Sequence, residues 1–143
     1  MTSARQVIEA LGMRAHPEGG WYAETWRAAS PDGTRPSASA IVYLLAAGDQ
    51  SHWHRVDADE IWQYSAGDTL ELRVWIDGVA AVMTHRLGAE VDRGDAVQAV
   101  VPAGAWQAAR PLGGWTLVGC IVSPAFEFEG FELAPAGWEP PTP

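Results

Sequence analysis

Residues 51–62 read Ser51-His52-Trp53-His54-Arg55-Val56-Asp57-Ala58-Asp59-Glu60-Ile61-Trp62. Two histidines separated by one residue fall on the same side of an extended strand, with Trp53 on the other. Five residues separate His54 from Glu60, and Asp57 and Asp59 between them read as solvated turn residues. Glu60 then opens a second extended segment, in which Glu60, Trp62 and Tyr64 share one face. Neighbouring strands with those faces turned inward bring two imidazoles and a carboxylate together, the ligand set of a 2-His-1-carboxylate metal site. The need of a buried carboxylate for a cation or good hydrogen bonds favours that arrangement. Structural histidines bonded to their neighbours are the plainer alternative.

The same alternation extends outward. Upstream, 22–27 places Tyr22, Glu24 and Trp26 on one face, and 40–45 is an apolar run suited to a buried strand. Downstream, Leu70, Leu72, Val74 and Ile76 alternate with Thr69, Glu71, Arg73 and Trp75. Asp77-Gly78 between two β-rich runs predicts a tight hairpin into 79–87. Further strands are expected at 97–101, at 115–122 and, as a late edge in which Phe and Glu alternate, at 126–133. One helix is expected, over about 3–12, where Ser3 and Gln6 fit a capping box and Ala4, Val7, Ile8 and Leu11 share a face. The Pro-rich tail at 135–143 reads as a frayed end. Roughly eight or nine short strands with turn signals between them predict an all-β domain over 1–143, a sandwich or small barrel.

Composition removes several function classes. The nine basic residues are all Arg, there is no Lys or Asn, and the net charge is −9. Without a lysine amine there is no Schiff base, no pyridoxal-phosphate anchor and no P-loop phosphate contact; nucleotide and haem cofactors are likewise not expected. The scattered arginines form no basic face, which argues against nucleic acid and against an anionic membrane as partners. The single cysteine, Cys120, sits in an apolar strand pattern and reads as a buried core residue. No apolar run approaches the roughly 20 residues of a membrane span, so a soluble, cytoplasmic protein is expected.

Further motifs extend the pattern: Gly94, then Pro102-Ala103-Gly104, then Trp106-Gln107. With the histidine–glutamate stretch they resemble the bipartite signature of the cupin superfamily. The resemblance is closest to an uncharacterised branch called cupin type 5, through His16-Pro17-Glu18-Gly19-Gly20, the 51–62 core, 101–107 and the 117–126 end. It covers roughly residues 5 to 134 and implies a double-stranded β-helix, a jelly-roll barrel, that is commonly a homodimer. Trp75, on the polar face of its strand, is the one residue that supports such an interface. The resemblance also implies a divalent metal ion on His52, His54 and Glu60. Where the general cupin pattern has a third histidine this chain has Gln107, whose amide oxygen can ligate an ion or bond a substrate hydroxyl.

Three readings are open on the sequence. The first is a metal-dependent enzyme acting on a small polar or carbohydrate-like molecule. The second is a metal-free enzyme resembling the deoxysugar epimerases of the superfamily, with His52 or His54 as base and Tyr64 or Tyr43 as acid. The third is a non-catalytic metabolite-binding module. In all three, Tyr43, Glu60, Trp62 and Gln107 are expected to line a small-molecule pocket. His16 and Glu18 read as part of a tight turn within reach of its mouth, and His85 as solvent-facing.

Overall fold

The structure, a computed structural model, describes residues 1–141. Ser3 caps helix α1 (Ala4–Ala10) through the expected reciprocal pair with Gln6. Eleven strands follow: β1 (Arg14–Ala15), β2 (Trp21–Arg27), β3 (Ser39–Leu45), β4 (Ser51–Val56), β5 (Asp59–Gly67), β6 (Leu70–Trp75), β7 (Met83–Leu87), β8 (Gln98–Val101), β9 (Trp106–Pro111), β10 (Thr116–Ser123) and β11 (Phe131–Leu133). They form two antiparallel sheets, in the orders β1-β2-β3-β10-β5-β8 and β11-β4-β9-β6-β7. Sequence neighbours β4 and β5 lie in different sheets, as a jelly roll requires.

The sheets face one another across an apolar core. Tyr43, Trp62, Val118 and Val101 of the larger sheet pack with Leu70, Leu72, Val74 and Ala109 of the smaller. This core fills one end of the barrel and leaves the other end to the site. Cys120 is buried in the same core, as expected.

The differences from the sequence reading have local causes. The Asp77-Gly78 hairpin is wider than two residues: β6 and β7 pair from Leu70↔Leu87 to Val74↔Met83, and 76–82 is a loop. Trp75 holds that loop by donating its indole N–H to the Val79 carbonyl at 3.0 Å. The late edge at 126–133 is a 3-10 turn (Phe128–Gly130) followed by a short strand. Trp75 is buried, not exposed. Trp53, Trp75 and Trp106 cluster on the outer face of the smaller sheet, and Trp138 of the tail lies across them. Its ring centroid is 4.6 Å from that of Trp106. Arg55 and Arg73 cover Trp106 and Trp53 at 4.7 and 5.0 Å, and Glu139 accepts the Trp53 indole N–H at 3.2 Å. The tail expected to fray is therefore docked through Glu139; Thr142 and Pro143 lie outside the described residues.

Candidate functional site

A one-residue irregularity in β4 decides which histidine enters the barrel. Ser51 pairs with Ala109 and His54 with Gln107, so three steps along β4 match two along β9, the count of a β-bulge. The strict alternation that would put His52 and His54 on one face is broken. His54 points inward and is buried, whereas His52 is exposed and lines a separate hollow beside Trp53 and Trp138. The expected pair of inward histidines is thus reduced to one.

The place beside His54 is taken by Glu18. Its loop, His16-Pro17-Glu18-Gly19-Gly20, passes so close to β4 that a Cβ at Gly19, where φ is +108°, would collide with the Gln50 carbonyl. Only glycine tolerates both the positive φ and that approach. The loop is held by the Tyr43 hydroxyl, which donates to the Gly19 carbonyl, and by the His52 N–H, which donates to the Glu18 carbonyl at 2.8 Å.

Glu18 is the hub of a buried polar cluster. Its Oε2 accepts from the Ser51 hydroxyl at 2.6 Å and from His54 Nε2 at 2.8 Å. The other ring nitrogen of His54, Nδ1, lies 2.8 Å from the His52 carbonyl oxygen. A carbonyl only accepts, and Glu18 is ionised, so both His54 nitrogens carry hydrogens and the ring is an imidazolium. Burial opposes that charge, but the Glu18 carboxylate holds the His54 pKa above its ordinary value. Reciprocally, burial works against the Glu18 carboxylate, and the charge and hydrogen bond of His54, with the Ser51 hydroxyl, hold its pKa below the ordinary range. His16 Nδ1 accepts the Glu18 backbone N–H at 3.1 Å and lies 3.2 Å from Glu18 Oε1; burial lowers the His16 pKa, and the ring is neutral. Ser51 meets Glu18 and not a histidine nitrogen, so it forms no serine–histidine pair here.

A second chain of bonds orders Glu60. The Trp62 indole donates to Gln107 Oε1 at 2.8 Å, and Gln107 Nε2 donates to Glu60 Oε1 at 2.9 Å. An indole can only donate, which fixes the Gln107 amide with its NH2 toward Glu60. Burial pushes the Glu60 pKa up to about 7; the Glu18 charge adds to the rise, while His54, Gln107 and the Cys120 thiol oppose it. Burial also holds the Cys120 thiol well above its ordinary pKa, so it remains protonated.

These groups line a cavity of about 580 Å³ at the open end of the barrel. His16, Glu18, His54 and Glu60 form its polar side; Tyr22, Phe126, Phe128 and Phe131 form its aromatic side. Of the expected lining residues, Glu60 faces the cavity, while Gln107 and Trp62 stand behind it as its support. Tyr43 and Tyr64 do not line it: their hydroxyls donate to the carbonyls of Gly19 and Gly67. The tyrosine that does line it is Tyr22, whose ring packs edge-on to His16 at 4.7 Å. His16 and Glu18 reach the interior and not only the mouth. The signal for them was present in the sequence, since two adjacent glycines beside a His and a Glu mark a loop that can approach another strand closely.

The donor set implied by the family resemblance does not fit a metal ion. Both His54 nitrogens are engaged as donors, the Gln107 oxygen is taken by Trp62, and His52 is outside the cavity. Among the described residues no group of three or more His, Cys, Asp or Glu side chains converges as a metal site. Glu60 is ordered here by the hydrogen bond from Gln107.

The chain matches the model of the Cupin superfamily (DUF985) over residues 5–134. A hypothetical protein from Leishmania major shares 34% identity over 92% of this chain and 86% of that one, with a TM-score of 0.83. A protein of Shewanella oneidensis shares 36% identity over 94% of this chain and 85% of that one, with a TM-score of 0.88. A mutant of the Bacillus subtilis oxalate decarboxylase is alike in fold alone, at 12% identity over 83% of this chain and 29% of that one, with a TM-score of 0.63. No curated protein matches. The order of the strands, the motifs on β4, β5 and β9 and the match over 5–134 agree, and the chain belongs to the cupin superfamily, in its DUF985 family.

Proposed function

We propose that this chain binds a small polar, carbohydrate-like metabolite in the barrel and moves a proton on it without a metal ion, Glu60 being the group that takes or gives the proton. One observation carries the reading: a buried carboxyl group faces a cavity of about 580 Å³, and that burial pushes its pKa up to about 7, matched to proton transfer at neutral pH. The His54 imidazolium, fixed by Glu18, supplies a preorganised positive charge close to Glu60 for a ligand oxygen that becomes negative. This is the metal-free reading of the sequence with its roles moved, Glu60 replacing histidine as base and His54 serving as the charged partner. The aromatic side suits the face of a ring.

The same proposal includes a homodimer and a cytoplasmic location, which the lone buried Cys120 suits. Trp75 no longer supports the dimer. What does support it is a row across the outer face of the larger sheet, Val100, Ile61, Ile121, Ala40 and Trp26, each in register with the next. Val100 and Trp26 at its ends are more than half exposed, at 58% and 53%. No helix among the described residues is long and apolar enough to cross a membrane.

Elemental analysis of untagged protein from metal-supplemented growth tests the metal-free part, with substoichiometric metal expected. A stoichiometric ion that is lost in His54→Ala would overturn it. Carbon NMR titration of Glu60 tests the proton-transfer part, and a midpoint in the ordinary carboxylate range removes its basis.

A further inference from the structure

Glu60 and His54 account for the inner end of the cavity but not for its mouth. There the segment Phe126-Glu127-Phe128-Glu129-Gly130-Phe131 contributes three aromatic rings and two carboxylates to one wall. Centroid separations of 4.9, 5.8 and 6.1 Å tie the three rings into one cluster, and Tyr22 stands in the same lining. Phe128 is 56% exposed, which leaves it free to cover a bound molecule.

The charges of the cavity are distributed unevenly. Arg27 is spent on Glu24, through bonds of 3.0 and 3.1 Å, and on the Phe126 carbonyl at 3.0 Å. Arg14 is exposed at the rim and stacks over Tyr22 at 5.4 Å. The His54 charge is matched by Glu18 at 2.8 Å. Glu60, with its pKa pushed up to about 7, carries only part of a charge at neutral pH and bonds only the neutral Gln107 amide and Cys120 thiol, and Glu127 reaches Arg35 only at 4.0 Å. The lining therefore holds more carboxylate than cationic charge, in a chain whose net charge is already −9. Aromatic faces attract cations through their quadrupoles, most strongly where water is displaced. A negative field around a concave site also raises the local concentration of cations. Phosphate or dicarboxylate groups meet the opposite balance.

We infer that the ligand of this cavity carries a positive charge, a protonated amine or quaternary ammonium held at the mouth by Phe126, Phe128 and the Glu129 carboxylate, Phe131 lying deeper with its ring centroid 5.5 Å from that of His54. The inference rests on the proposed small-molecule site and names its ligand class; the ammonium occupies the mouth, while the reacting end faces Glu60 and His54.

The test is calorimetric titration of the whole chain with three probes of similar size: benzyltrimethylammonium, benzyl alcohol and benzoate. The cation is expected to bind at least about tenfold more tightly than the alcohol, and benzoate more weakly still. Phe128→Leu and Glu129→Gln alter exposed side chains and leave the core intact; each is expected to cut the cation preference by about threefold or more. Alcohol or benzoate binding as tightly as the cation would overturn the charge assignment and leave the small-molecule site standing. A preference unchanged in both variants would overturn the placement at the mouth. No binding of any probe would overturn both this inference and the site reading beneath it.

Discussion

Gln107 donates to Glu60 at 2.9 Å in a direction that Trp62 dictates, because the indole N–H occupies the amide oxygen. Gln107 occupies the register position on β9 opposite His54, where the general cupin pattern implies a third histidine. Its amide nitrogen holds the Glu60 carboxyl group in place through that bond, the role the proposed function requires of it. Trp62→Phe keeps most of the ring but leaves a buried amide oxygen without a donor, at a cost of about 1–3 kcal/mol. The freed amide can then turn its oxygen toward Glu60, which favours the protonated acid. Lower stability in denaturant and a Glu60 midpoint above that of the parent are both expected; a midpoint that does not move would separate Trp62 from the ordering of Glu60.

Glu60 also leaves a signature in stability against pH. Its pKa is raised from 4.5 to about 7 by folding, so the folded state binds the extra proton in that interval. The associated stability is fully present below about pH 4.5 and is lost as pH rises through about 7, a change of order ~3 kcal/mol. Glu60→Gln retains an acceptor for Gln107 and cannot titrate. Urea denaturation across this range is expected to show a loss in the parent that is largely missing from the variant.

The Glu18–His54 pair has the opposite dependence on each side. Glu18, depressed by folding, contributes stability that is lost as pH falls through its folded value; His54, raised, contributes stability that is lost as pH rises through its own. Nitrogen NMR near neutral pH is expected to find both His54 ring nitrogens protonated and His16 neutral. In Glu18→Gln burial acts on His54 with only the Glu60 charge and the His52 carbonyl left to oppose it, and its pKa drops. Removing one partner of a buried pair costs about 3–5 kcal/mol, so equal stabilities of parent and variant would contradict the ion pair.

The docked tail predicts a cost for truncation. Trp138 is half-buried, so Trp138→Ala is expected to destabilise by about 2 kcal/mol, less than for a fully buried ring. Trp53, Trp75 and Trp106 lose their cover at once, which a red shift of tryptophan emission would report.

For the dimer, Trp26→Glu places a charge at one end of the exposed apolar row. Sedimentation equilibrium is expected to show a dimer in the parent and, in the variant, a dimer dissociation constant raised by at least about tenfold. A parent that sediments as a monomer at every concentration would remove the dimer from the proposal.

The barrel was legible because its information is local. Alternation in 69–76, the apolar run at 40–45 and the cap at Ser3 each act within a few residues, and β6, β3 and α1 lie where they were expected. Half of the site was legible for the same reason: the extended segment from Glu60 orients Glu60 and Trp62 inward together. The rest depended on events that alternation does not encode. The extra residue between Ser51 and His54 turned His52 outward, and the register of β4 on β9 decides that, not the His-x-His spacing. Glu18 meets His54 only because the Gly19 approach to Gln50 brings a distant loop across the barrel end. Tyr43 and Tyr64 had the right chemistry for acids, but nearby carbonyls claimed their hydroxyls. Trp75 lay on the expected face and was covered by a tail residue far away in sequence.

Glu18 belongs to the loop joining two strands of the larger sheet, while Ser51 and His54, which it holds at 2.6 and 2.8 Å, belong to the smaller. The polar centre of the cavity is therefore also a clasp across the seam between the sheets. Parting the sheets at this end leaves two opposite charges without partners in apolar surroundings, so the seam and the charge state of the site open and close together. Acid that neutralises Glu18 is therefore expected to weaken this clasp first. The barrel is fastened at its working end by the same carboxylate that keeps His54 charged.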